Sequence, residues 1–294
     1  MTSDGYLYDL GYQPYEGEHL GRSGARLAIF RDGMRKVLGL RRRARTKFLP
    51  WGLFLIGVFP AVVFIGIGVI GGQFGVEEDT LFGHSEYFEL SGPIALIFIA
   101  LASAELLIPD RVEGTIQVYA SRPLTTADYL GSKAAALVAL VAGFMMLPQL
   151  MLWLGLGGLS NDGFLSYITS HIDDLGRAAL ATTVYLAAYL PIAFAVASLA
   201  NRTSAAAGAF AAAFFGTSPL TAAIVDQGGF DIVALGALEH HPRYVRDWIF
   251  DANNNPQGWI PERAGYEPIV SLIVILAIAA ISIFVVVRRY RNLR

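Results

Sequence analysis

The sequence predicts an all-α integral membrane protein: an N-terminal interfacial helix, then six transmembrane helices, with both termini cytoplasmic. Three observations carry this expectation. Stretches 48–73, 90–108, 134–159, 178–200, 203–225 and 268–287 are each long enough to cross a hydrocarbon core of ~30 Å, which takes about 20 apolar residues as helix. Five of them hold no charge and the second holds only Glu105. The composition, 54% hydrophobic and 16% charged with a mean hydropathy of +0.50, lies outside the usual soluble range. Lys and Arg divide 18 to 4 between the two sets of connections, which by the positive-inside rule places the termini and the 109–133 connection in the cytoplasm. The net charge of −2 conceals that asymmetry. Continuous apolar runs favour helices over the alternating short strands of a barrel.

Residues 1–47 form a cytoplasmic region. The first 24, rich in Gly, Tyr and acidic residues, lack periodicity and read as an extended arm. From Ala25, Leu27, Phe30, Met34, Val37 and Leu38 recur at helical spacing with Arg26, Arg31, Arg35 and Lys36 on other faces, as in a helix lying on a leaflet. Arg41, Arg42, Arg43, Arg45 and Lys47 make a basic collar suited to anionic headgroups. No cleavable signal is expected ahead of the first span.

The transmembrane domain occupies 48–287 and a basic tail 288–294. Two outer connections, 74–89 and 160–177, are short; the third, 226–267, is about forty residues long. The fifth span is rich in Ala and Gly, with Pro219 and Gly228–Gly229 as points where it would break or re-enter. Small residues at Gly68, Gly72 and 205–213 permit close helix contacts within or between subunits.

Several chemistries are missing. The chain has no cysteine, hence no thiolate catalysis or disulfide framework, and no Walker A sequence for ATP. His240 and His241 beside Glu239 and Asp247 lack a metal-binding spacing and read as a solvated pair. Asn201-Arg202-Thr203 is a glycosylation sequon on the cytoplasmic side and so a chance match. Glu105, about a turn from the cytoplasmic end, is expected to pair with an inner-face Arg rather than relay protons. Gln149 with Pro148, Tyr185 and Tyr189 with Pro191, and Thr217 and Ser218 with Pro219 fit either a translocation path or helix packing and kinking.

The densest polar signature lies between the second and third spans, at 110–133. Asp110 and Glu113 read as framing a helix start, Pro123 as a stop, Thr125 or Thr126 as the N-cap of the next helix, and Lys133 as a headgroup anchor. An acidic residue followed by Gly-Thr, Ser-x-Pro and Tyr-Leu-x-x-Lys (Glu113, Gly114, Thr115, Ser121, Pro123, Thr125, Tyr129, Leu130, Lys133) closely resembles the ABC-2 type permease family. Six spans, a preceding interfacial helix and a long last outer connection match as well. The resemblance implies the non-catalytic permease subunit of an ABC exporter in a prokaryotic cytoplasmic membrane, dimerising with a second permease subunit. It further implies that 109–133 couples to a separate cytoplasmic ATPase, which would hold ATP and Mg. The expected cargo is an amphipathic drug, lipid or peptide; neither a cofactor on this chain nor nucleic acid is expected. An ion-coupled secondary transporter is the leading alternative, and a membrane-embedded enzyme, lacking clustered His, Asp or Glu at span depth, the next.

Overall fold

The computed structural model describes residues 20–40, 45–74, 83–120, 124–161 and 163–291. Every regular element among them is helical: α1 (Gly21–Val37), α2 (Arg45–Gln73), α3 (His84–Val112), α4 (Thr115–Ala120), α5 (Thr126–Leu159), α6 (Phe164–Ser170), α7 (Ile172–Leu199), α8 (Thr203–Asp226), a 3-10 turn (Asp231–Gly236), α9 (His240–Phe250), α10 (Ile260–Arg263) and α11 (Pro268–Arg291). Six of these, α2, α3, α5, α7, α8 and α11, are long and apolar enough to cross a membrane. They are antiparallel in succession. Arg111 at the end of α3 meets the end of α7, and Tyr129 at the start of α5 packs on Tyr290 at the end of α11. These contacts, with α1, define one polar end of the bundle; α6, α9 and α10 cover the other.

α3 is the central helix, with 72% of its apolar stretch buried, against 28% for α2 and 22% for α8 and α11. The reason is legible in its side chains. Ser91, Gly92, Ala95, Ala102 and Ser103 keep α3 narrow, so neighbouring backbones approach on every side, the usual way helices associate in lipid. α2 instead turns Leu55, Ile56 and Phe59 outward. Aromatic rings close the core: Phe98 stacks on Phe144 at 4.9 Å, Phe88 on Tyr185 at 5.6 Å, and Tyr189 meets Phe214 edge-on at 5.0 Å.

Several expectations need correction. α1 begins at Gly21, and its buried stripe is Ile29, Gly33 and Val37, whereas Leu27 is exposed. Gly33 explains the rotation: a Cβ there would lie 3.0 Å from Ala136 and 3.2 Å from Leu106, so α1 sits tightly on α5 and α3. α8 does not break at Pro219. It runs unbroken to Asp226 and stops where Gly228, at φ +72°, turns the chain and the Gly229 N–H returns to the Ile224 carbonyl. Within the long 226–267 connection, α9 packs on α3, α7 and α11, and α10 on α8 and α9. The arm at 1–19 and most of the collar, Arg41 to Arg43, lie outside the described residues.

The glycines expected at helix contacts differ in kind. At Gly68 a Cβ would touch Leu159 at 3.1 Å, at Gly57 it would meet the Phe144 ring at 2.7 Å, and at Gly72 it would meet nothing. Gly57→Val should therefore lower stability in detergent by about 1–3 kcal/mol through overpacking, while Gly72→Val leaves it unchanged. Thermal melts of the two variants test the difference, and equal melting points would contradict it.

Candidate functional site

At the polar end, the α3–α5 connection rests on buried charge. Asp110 lies in the last turn of α3, not at a helix start. Glu113 is the C-cap, and Gly114, at φ +73°, takes the left-handed conformation that ends the helix. A carboxylate at a helix C-terminus opposes the dipole and needs cations. Two supply them: Lys36 of α1 at 2.7 Å and Lys133 of α5 at 2.8 Å, while the Tyr129 hydroxyl donates to the same group at 3.0 Å. Lys133 is wholly buried, so it anchors α5 to α3 rather than snorkelling to a headgroup. Asp32, more than half exposed, lies 3.7 Å from it.

Thr125 is the N-cap of α5. Its hydroxyl accepts the Asp128 N–H at 3.1 Å and its own N–H donates to the Asp128 carboxylate at 2.8 Å, a complete capping box. Asp128 also receives Arg22 at 2.8 Å and Arg26 at 2.5 Å from α1. The Arg111 guanidinium donates to the carbonyls of Ser198 and Ala200, capping the end of α7. Beside this base lies α4, with Glu113 and Gln117 exposed, Gly114 and Thr115 half-buried, and Ile116 packed on the core. Ser121 and Pro123 lie outside the described residues. Of the residues expected to act together, Tyr129 and Lys133 therefore form the buried base, Thr125 caps it, and Glu113, Gly114 and Thr115 form the turn beside it.

The opposite end holds a second buried network. Arg246 of α9 is fully buried, paired with Glu89 of α3 at 2.8 Å and with Asp247 at 2.6 Å. Arg243 joins Glu89 at 3.1 Å to Glu239 at 2.5 Å, and the Trp259 indole donates to Asp247 at 2.7 Å. Of the residues assigned to a path, Tyr185 and Tyr189 lie buried beneath this network, and Ser218 donates its hydroxyl to the Phe214 carbonyl. Gln149 is apart from them, bonded to His84, and Thr217 returns its hydroxyl to the Ala213 carbonyl. His241 is buried between Ser271 and the Leu235 carbonyl, and His240 packs on Trp259; neither is a solvated loop residue.

Burial, followed by the neighbouring Arg243 and Arg263 guanidiniums, pushes the His240 imidazole down to about 4. Burial lowers His241 too, against the hydrogen bond to Leu235. Burial pushes the Glu239 carboxyl up, opposed by Arg243 and reinforced by Glu89.

Sequence reasoning missed Asp110 as a hub, Lys36, Asp128 and Arg111 as its supports, and Glu89 with Arg246. The Thr-x-x-Asp and Glu-x-x-x-Arg spacings at 125–128 and 239–243 were the available signals. Glu105 is half-buried on the wall of a cavity that Lys36 also lines. Among the described residues no cluster of His, Asp and Glu is arranged to hold a metal. Two polar networks, each locking α3 to elements far along the chain, thus define a helical bundle of the multi-pass membrane type. Comparison of the sequence with family models and with curated proteins finds no match to either.

Asp110→Ala should destabilise the bundle by about 3–5 kcal/mol by stranding buried Lys133, whereas Asp110→Leu with Lys133→Met should recover most of that. Melting of the single and double variants measures the coupling; additive losses would contradict it. The His240 pKa in the fold lies below its ordinary 6.5. Protons therefore favour the unfolded segment between about 4 and 6.5: the penalty is absent above 6.5 and grows as pH falls toward 4. Glu239 acts in the opposite sense just above 4.5. Hydrogen exchange across 240–266 should accelerate on acidification through that window, and less so in His240→Gln; a pH-independent profile would overturn the assignment.

Proposed function

We propose that this chain is the permease subunit of an ATP-driven exporter of the ABC-2 type, with no catalytic residue of its own. In this reading the α1 end faces the cytoplasm of a prokaryotic cell, α1 lies at the inner leaflet, and a separate ATPase carrying ATP and Mg docks on the α3–α4–α5 turn. A second permease subunit would cover part of α2 and α8, the least buried spans together with α11, and the cargo would be an amphipathic drug, lipid or peptide.

One observation carries the reading: a turn whose Glu113 and Gln117 are exposed rests on a base that is buried and ionically links α1, α3 and α5. A connection that merely joined two spans would need no such base. A push on α4 enters α3 and α5 directly, α1 through Lys36, and α7 through Arg111. Rigid groups with two arrangements are what transmit such force.

The cluster of half-buried Glu89 and Arg243 with buried Glu239 and Arg246 favours ion-coupled transport as the second reading, since ionisable groups out of bulk water are the usual sites of ion coupling. Co-purification of the chain with a cytoplasmic ATPase from its own cell separates the two. Glu113→Lys should abolish co-purification or reduce ATP-driven efflux from vesicles at least about tenfold, with melting unchanged because Glu113 is exposed. Normal efflux and binding in that variant, or cargo movement driven by an ion gradient without ATPase, would refute the exporter.

A further inference from the structure

We propose that the groove between α1 and the start of α5 is the docking surface for this chain's own acidic N-terminal segment, residues 1–19. Neither a bilayer nor an ATPase is required for this contact, which goes beyond the exporter reading and is independent of it.

The groove has a volume of about 500 Å³. Leu27 and Phe30 of α1 line it opposite Ala127 and Gly131 of α5, and a Cβ at Gly131 would meet nothing within 4 Å, so the groove is open there. Arg22, Arg26 and Asp128 form its polar end. Asp128 is nearly covered, yet the two arginines that bind it each remain 51% exposed. A guanidinium carries five N–H donors, so both have donors left after Asp128 is satisfied, and two cations share one anion. The ions deeper along α1 do not cancel this excess. Lys36 and Lys133 against Asp32, Asp110 and Glu105 leave one negative charge, which exposed Arg31 and Arg35 outweigh. Arg291 of α11 adds a further cation on the other side of Thr125 and Ala127.

Residues 1–19 carry Asp4, Asp9, Glu16 and Glu18 and no Lys or Arg, with Tyr6, Tyr8, Tyr12 and Tyr15 set among them. Carboxylates bind the edges of a guanidinium and aromatic rings its faces, so this composition answers the groove in both respects. The segment also ends where the groove begins. Leu20 is 66% exposed, and Gly21, at φ +58°, takes the left-handed conformation, so the chain joins α1 through a turn. Five residues, extended at ~3.3 Å each, span about 17 Å, more than the ~14 Å that α1 rises from Gly21 to Phe30. Glu16 and Glu18 are therefore near enough to meet Arg22 and Arg26, and the tether holds them at roughly millimolar effective concentration. A lipid acyl chain suits the groove less well, because Arg22, Arg26, Thr125, Asp128 and Ser132 interrupt its apolar surface.

The chain has no cysteine, so introduced pairs report alone in the full-length protein. Tyr15→Cys is combined with Gly131→Cys in the groove or with Gly208→Cys on α8, both positions where a Cβ meets open space. A short bis-maleimide in detergent should link 15 to 131 within one chain at least about tenfold faster than 15 to 208. Glu16→Lys with Glu18→Lys should slow the first link about fivefold or more, as should raising salt to about 0.5 M. In vesicles of phosphatidylglycerol the link should form as it does in phosphatidylcholine; its loss in phosphatidylglycerol alone would give the groove to anionic lipid and overturn the proposal. Equal rates at 131 and 208, a rate indifferent to charge reversal, or a link formed between two chains would overturn it as well.

Discussion

The Asp110 carboxylate is the contact on which the polar end of this bundle depends. It gathers an ammonium from α1, an ammonium and a phenol from α5, and it sits at the helix end where the backbone itself would repel it. Burying one anion with two cations is tolerable only because each ion is hydrogen-bonded or paired. The geometry leaves little freedom: Lys133 must point inward from the second turn of α5, and the Thr125–Asp128 box fixes where that helix starts. The capping box, an ordinary local device, thereby sets the register of a long-range ion pair.

The other end solves a similar problem with a guanidinium. Arg246 reaches Glu89 and Asp247 together, and Asp247 in turn holds the Trp259 indole and the Asn254 amide. A planar fork with several donors can serve two carboxylates where an ammonium serves one direction less specifically. Both networks converge on α3, whose small residues bring it within reach of α2, α5, α7 and α8. The apolar faces of α2, α8 and α11 are left outward, consistent with helices that meet lipid or another chain.

The six long helices were legible because a membrane imposes length and apolarity on each segment independently of its neighbours. Their ends were not. α3 begins at His84 and ends at Val112, beyond the apolar run on both sides, because Glu86 closes onto the Gly83 N–H and Glu89 and Asp110 find partners elsewhere in the chain. Local chemistry was partly readable: Thr125 was one of two cap candidates, and its bonds to Asp128 decide between them. What could not be read was which charges are buried. Lys133 looked like a headgroup anchor and Arg243 and Arg246 like loop charges, since a lysine or arginine shows its depth only through a partner that the fold supplies.

The pairing of Glu89 with Arg243 and Arg246 spans 154 and 157 residues. During synthesis α3 enters its surroundings long before α9 exists, so Glu89 waits through the making of α5, α7 and α8 for the arginines that will neutralise it. Contacts this distant in sequence come late and are entropically costly to close. The segment from α9 to α11 is therefore the clasp of assembly: until it arrives, Glu89 near the start of the central helix lacks the arginines that it pairs with in the finished bundle.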